Sequence, residues 1–171
     1  MTGSIDVAKV PRPIEVGPEM ADLARFFFDS VWIGTVVRNG MGPGTPEMLA
    51  CGRGWHATTQ AGRWIVGTYQ QDQFGPDGSR VLRWELHWVV GWSPPEGEYR
   101  ATLADNYGRA DVMRGYIDGD RLVFETVGEP PIRVRLVWDM TDPDDVTWRN
   151  DMSIEGGPWS LVEEYHLTPT E

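Results

Sequence analysis

The stretch RVLRWELHWVVGW, Arg80 to Trp92, constrains the fold of this chain more than any other. Leu82, Trp84, Leu86, Trp88, Val90 and Trp92 alternate with Val81, Arg83, Glu85, His87 and Val89, and a period of two makes distinct faces only on an extended strand. One face carries three indoles, and the other an Arg, a Glu and a His. Comparable segments recur along the chain. Strands are expected at 31–39, 48–59, 62–73, 80–92, 99–108, 110–118, 121–128, 132–140, 145–154 and 159–167. Between them lie turn signals: Gln60–Ala61, FGPDGS at 74–79, SPPEGE at 93–98, Asp118–Gly119–Asp120, TDPD and EGGP. About ten short strands at this spacing predict an all-β protein. Hairpins between nearest neighbours favour an antiparallel up-and-down barrel, which closes on itself and leaves no edge strand.

The N-terminal part differs. Residues 1–16 contain Pro11 and Pro13 and are expected to form an arm. GPEMADLARFFFDS, 17–30, is the one helix the sequence supports: Pro18 suits a first turn, and Met20, Leu23, Ala24, Phe27 and Phe28 form an apolar stripe. That stripe predicts a helix packed on one end of the barrel. Residues 17–171 are then a single β-barrel domain. The GMGPGTPE segment, 40–47, reads as a loop between the first two strands.

Composition narrows the function classes. A formal net charge of −11 argues against the backbone of a nucleic acid or an anionic membrane as partner, because either needs a basic patch. Cys51 is the only cysteine, so neither an intrachain disulfide nor a cysteine-based zinc site is available. The first residues lack a basic segment followed by an apolar one, and no run approaches the length of a membrane span, so a cytoplasmic location is expected. Lys9 is the only lysine and lies in the arm, which disfavours Schiff-base chemistry. There is no G-x-S-x-G elbow, no phosphate-binding glycine loop and no H-E-x-x-H, and His56, His87 and His166 are widely spaced. No cofactor and no metal are expected.

VGWSPPEGEYRATLADNYG at 90–108 and GYIDGDRLVFE at 115–125 resemble a family of uncharacterised bacterial proteins with a lipocalin-like, calycin-type β-barrel. Gly62-Arg63-Trp64, Trp32-Ile33-Gly34 and the closing VEEYHLTP fit the same pattern, over roughly residues 18–168. The resemblance implies the barrel fold and no established reaction. The nitrobindin-type haem barrels share the tryptophan–glycine opening and hold iron through a histidine near the C-terminus. That second likeness implies His166 as a haem ligand, although the residues around it do not reproduce a haem-pocket signature.

Alternate residues of a barrel strand point inward, where they either fill a core or line a cavity. Trp84, Trp88, Trp92, Trp138, Met140, Trp148 and Met152 share the expected inward parity, and nine tryptophans in 171 residues favour a cavity over a solid core. The expected walls are Trp64, Tyr69, Trp84, Trp88, Trp148, Asn150, Met152 and Tyr165. Among polar groups of the same parity, Asp105 and Tyr107 are candidate acid/base residues, because a carboxylate among indoles is desolvated. Asp105 has a competing reading as a turn residue of Asp-Asn-x-Gly. Glu163 shares the inward parity. Glu85 and His87 are a second catalytic pair if the indoles face outward; otherwise they are a solvated face. His56 reads as a rim residue.

These features predict binding of an apolar small molecule in an aromatic-lined cavity. The first reading is a cofactor-independent enzyme of the cyclase, isomerase or dehydratase type in small-molecule biosynthesis. The alternatives are a non-catalytic carrier or sensor of a hydrophobic ligand, and a haem-binding barrel. The expected partner is the small molecule, with no nucleic acid and no membrane, and a homodimer is compatible with the sequence.

Overall fold

The computed structural model describes residues 12, 14–36 and 46–170. Most of the expected arm, the end of the first strand at 37–39 and most of the 40–47 loop lie outside the described residues. The rest is a short helix α1 (Glu19–Ala24) followed by strands β1 (Ser30–Val36), β2 (Met48–Thr59), β3 (Trp64–Phe74), β4 (Arg80–Ser93), β5 (Glu98–Asp105), β6 (Ala110–Asp118), β7 (Arg121–Thr126), β8 (Ile132–Asp139), β9 (Val146–Ile154) and β10 (Ser160–Pro169). Each strand pairs antiparallel with its neighbours in sequence. β1 then pairs with β10 from Ser30↔Pro169 to Val36↔Glu163, closing the barrel. Among the described residues, no helix is long and apolar enough to cross a membrane.

Turn chemistry sets the register. Asp118 pairs with Arg121 across Gly119–Asp120, and Gly119 takes a φ of 59° that a side chain would resist. The β2–β3 connection is longer than the expected Gln60–Ala61 hairpin: Thr59 pairs with Trp64, so four residues bridge the strands.

The quoted strand, now β4, places its indoles inside. Trp88 and Val90 are buried, Trp84 and Trp92 pack against the same core, and Arg83 and His87 are exposed. The outer residues meet the outer residues of β3: Arg83 makes a bidentate ion pair with Asp72 at 2.9 and 2.7 Å, and Gln70 Nε2 donates to Glu85 Oε1 at 3.0 Å.

Packing wide rings inside a ten-stranded barrel is eased where the backbone wall recedes opposite a ring. Glycines provide the space. Trp32 pairs with Gly52, Tyr69 with Gly54, Trp88 with Gly67, Tyr165 with Gly34 and Phe124 with Gly115. In every case a Cβ on the glycine would meet the ring, at 2.5 Å for Trp32, 3.1 Å for Tyr69, 2.1 Å for Trp88, 2.5 Å for Tyr165 and 2.4 Å for Phe124. Each ring thus takes the space over the adjacent strand that a side chain on the glycine would occupy, and leaves the barrel axis less crowded. Rings then pack on rings: Trp88 stacks on Trp138 at 5.2 Å and Trp148 on Tyr165 at 5.2 Å, with interplanar angles of 15° and 3°.

The helix is shorter than the expected 17–30. It ends at Ala24, and Phe26, Phe27 and Phe28 follow it as a turn and an extended segment. Three consecutive rings at 100° per residue cannot share one helical stripe. Outside the helix each ring finds its own place. Phe27 sets its edge against Trp88 at 5.0 Å and Trp138 at 5.6 Å, while Phe26 and Phe28 reach the interior. The Tyr99 hydroxyl donates to Glu19 O, and Arg25 pairs with Asp120, so the helix and its tail plug the barrel end that carries the β4–β5 and β6–β7 turns.

If ring-over-glycine packing holds the wall, Gly67→Ala must shift the Trp88 indole or the β3 backbone. The expected loss is about 1–3 kcal/mol by urea unfolding. Thr68→Ala, one residue away on the outer face, is expected to stay within about 0.5 kcal/mol.

Candidate functional site

A cavity of about 110 Å³ runs from the phenylalanine plug towards the opposite barrel end. Phe26, Phe28 and His56 line it at the plug. Trp84, Trp88, Leu103, Leu136, Trp138 and Trp148 form its walls, and Asp105, Arg109, Asp111 and Met152 lie towards the open end. Tyr69, Gln71, Asn150 and Tyr165 complete the lining with polar groups.

The structure brings together most of the residues expected from parity. Tyr69, Trp84, Trp88, Trp148, Asn150, Met152, Tyr165 and Asp105 all line the cavity. Four others lie outside it. Trp64 is an odd number of positions from Tyr69 on β3, so the two face opposite sides, and its indole covers Gly91 on the outer surface. Glu85 and His87 sit on the outer face of β4, with the His87 Nδ1 3.1 Å from Thr68 Oγ1. Tyr107 falls in the turn after β5, is 59% exposed, and donates from its hydroxyl to Arg83 O at 3.2 Å. Strand parity stops applying at Asp105, where β5 ends, so Asp105 and Tyr107 are not an acid/base pair.

Asp105 holds the turn. Its Oδ1 accepts from the backbone N–H groups of Tyr107 and Arg109, both at 2.9 Å, and its Oδ2 accepts from Trp84 Nε1 at 3.2 Å. The competing turn reading therefore describes its contacts, and the Trp84 bond adds the orientation of a cavity wall. His166 projects outward from β10 and meets Asp145 Oδ1 at 2.6 Å, with 63% of its side chain exposed. From there it cannot ligate a group held in the barrel, which removes the histidine that the haem reading required.

Two polar arrangements matter more than the sequence indicated. The first centres on Glu163, a carboxyl only 7% exposed. Asn150 Nδ2 donates to its Oε1 at 2.9 Å, while Gln71 Nε2, at 3.3 Å, and the Tyr165 hydroxyl both donate to Oε2. Trp32 Nε1 in turn donates to Gln71 Oε1 at 3.2 Å. Only donors converge on the carboxyl, the pattern that an ionised carboxylate accepts. Among the described residues, no Arg, Lys or His forms an ion pair with it. Burial, followed by the charge of Glu163, pushes the Tyr165 hydroxyl far above its usual range, so it remains a donor.

Glu163 reaches this position because of a β-bulge. Leu161 pairs with Asp151 and Glu163 with Asn150, so Val162 is the extra residue and parity reverses across it. Leu161, expected on the same face as Glu163, consequently faces the other way. Gln71 gave no signal of its own: TYQQDQ is polar at every other position on either parity.

The second arrangement is at the plug. His56 Nδ1 lies 3.0 Å from Phe28 O, and a carbonyl only accepts, so Nδ1 carries the hydrogen. Nε2 then accepts from the Tyr69 hydroxyl at 2.6 Å. Burial lowers the His56 pKa and outweighs the Phe28 carbonyl and Asp29. The imidazole is thus neutral, and it fixes the tyrosine that forms the cavity floor.

This neutrality has a consequence for pH. The folded protein resists protonation of His56, whereas the unfolded chain binds that proton near pH 6.5. Stability is therefore expected to fall as pH drops below about 6.5, because the unfolded state binds more protons there. Melting temperatures between pH 7.5 and 5.0 check this: His56→Gln should show a smaller drop than the native protein. Equal drops would assign the effect to other groups.

No protein-family model matches the chain, and no curated protein matches it. Among solved structures, the barrel is similar to that in "Crystal Structure of Rv2717c from M. tuberculosis", with a TM-score of 0.61 and 14% sequence identity over 92% of this chain and 100% of that one. At that identity the likeness concerns the fold alone.

Proposed function

We propose that this protein binds a small molecule, about the size of one aromatic ring, inside its barrel. The observation that carries the reading is a cavity walled by indoles and completed by Gln71, Asn150 and Tyr165, whose polar atoms are held by a buried carboxylate. Pockets with mostly apolar walls and a few fixed polar groups are the usual form of small-molecule sites. The volume sets the size. An apolar cavity of about 150 Å³ accommodates benzene, so 110 Å³ suits a single ring or the end of a longer molecule entering from the open side. A long polyene would require the rings to move.

An enzymatic role of the cyclase, isomerase or dehydratase type is the second reading, and one contact favours it. Tyr69 and His56 form a hydrogen-bonded pair on the cavity wall, the kind of pair that relays a proton to a bound substrate. The outer position of Glu85, His87 and Tyr107 leaves this pair as the best-placed acid/base group. A carrier would need the walls without the relay. Mass spectrometry of small molecules extracted from the purified protein supplies the substrate to test. Tyr69→Phe that retains binding and loses turnover supports the enzyme, and absence of turnover in the native protein supports the carrier.

Binding itself is tested with benzyl alcohol, followed through tryptophan fluorescence. Saturable binding to the native protein is expected, with at least tenfold loss in Leu136→Trp, which fills the cavity. Equal affinity in both proteins would place the ligand outside the barrel and contradict the proposal.

A further inference from the structure

The polar end of the cavity is organised by one buried acid. Glu163 is buried with no cationic partner among the described residues, and the groups that satisfy it are the neutral Asn150, Gln71 and Tyr165. Indole and phenol rings line the cavity, and the electron-rich faces of such rings attract cations. At the open end Asp105 faces the cavity, while the one arginine there, Arg109, pairs with Asp111 at 3.3 Å.

Glu163 also dictates what the wall presents. Because Asn150 Nδ2 must donate to the carboxylate, the amide cannot flip, and its other end is a carbonyl oxygen. That Oδ1 is buried and has no hydrogen-bond partner within the protein. Gln71 is fixed in the same way, with Nε2 on Glu163 and Oε1 on the Trp32 indole. An N–H⁺ group reaching the polar end of the cavity would supply the missing partner of Asn150 Oδ1, with the Glu163 carboxylate behind it. A carboxylate ligand would meet repulsion, and a neutral hydrocarbon would leave Oδ1 unsatisfied.

We propose that the ligand is a small organic cation, an aromatic or alkyl amine in its ammonium form. Its N–H donates to Asn150 Oδ1, and its charge is balanced by Glu163 behind that amide. Glu163 is a positioning residue: it orients Asn150 and sets the field without lining the cavity. The inference rests on the binding site proposed above and specifies the chemical class of its occupant.

Three probes of one shape separate the charges: benzylammonium, benzyl alcohol and benzoate, each titrated into the native protein at pH 7.5 with calorimetry as readout. Benzylammonium is expected to bind at least tenfold more tightly than benzyl alcohol, with benzoate weakest. In Glu163→Gln the ratio of benzylammonium to benzyl alcohol affinity should fall below threefold, a selectivity change that mere loosening of the fold would not produce. Asn150→Leu provides a second variant with the same expected loss of preference. If benzyl alcohol or benzoate binds the native protein as tightly as benzylammonium, the cation proposal fails and the cavity reading stands. If none of the three binds, both fail. Full ammonium preference retained in Glu163→Gln would remove Glu163 from the account.

Discussion

The interior of this barrel is shaped first by aromatic rings lying over glycines on the neighbouring strand. The pairs Trp32–Gly52, Tyr69–Gly54, Trp88–Gly67, Tyr165–Gly34 and Phe124–Gly115 are direct cross-strand partners, and a Cβ at any of those glycines would meet its ring at 3.1 Å or less. Side chains that would otherwise project towards the axis instead coat the wall. A cavity survives among so many indoles because the wall itself accommodates them. Glycine inside a strand is usually a cost, since it adds backbone entropy to the unfolded chain and offers no side chain to pack. Here the overlying ring supplies the missing contact surface, and the register of each pair is specified sterically.

The same geometry explains how far the sequence could be followed. Strand periodicity and turn residues located the ten strands to within a few residues, because alternation and turn chemistry are local properties. The inward parity of Trp84, Trp88, Trp138 and Trp148 followed from one pattern repeated on several strands. What failed was parity at strand ends and irregularities. Tyr107 lies beyond the last residue of β5, and Trp64 lies on the opposite face from Tyr69. The Val162 bulge reverses the face of Leu161 relative to Glu163. A bulge has no sequence signature of its own here, so the polar cluster it creates was not legible as a cluster. Asn150, Glu163 and Tyr165 shared an expected inward parity, but Gln71 joins them only through the register around the closed barrel. His56 read as an ordinary rim residue because its partners, Phe28 O and Tyr69, depend on the plug, which the sequence described as a longer helix.

Charge and packing divide the labour at the site. The rings set its size, and the buried carboxylate fixes the direction of the amides that a ligand meets. Among the described residues, the Glu163 carboxylate has three donors and no cation, so its hydrogen bonds are made while its charge has no opposite partner. Such a group costs stability unless something else offsets its charge. That cost gives the site a reason to discriminate among ligands by sign.

The central claim is that space exists within the aromatic barrel. Diffraction from crystals held under xenon pressure tests it directly, because xenon enters aromatic-walled space without needing polar contacts. A xenon atom between Trp88, Trp138, Trp148 and Leu136 is the predicted result. A barrel interior with no xenon, its indoles packed together along the axis, would contradict the account and identify the aromatic residues as a solid core.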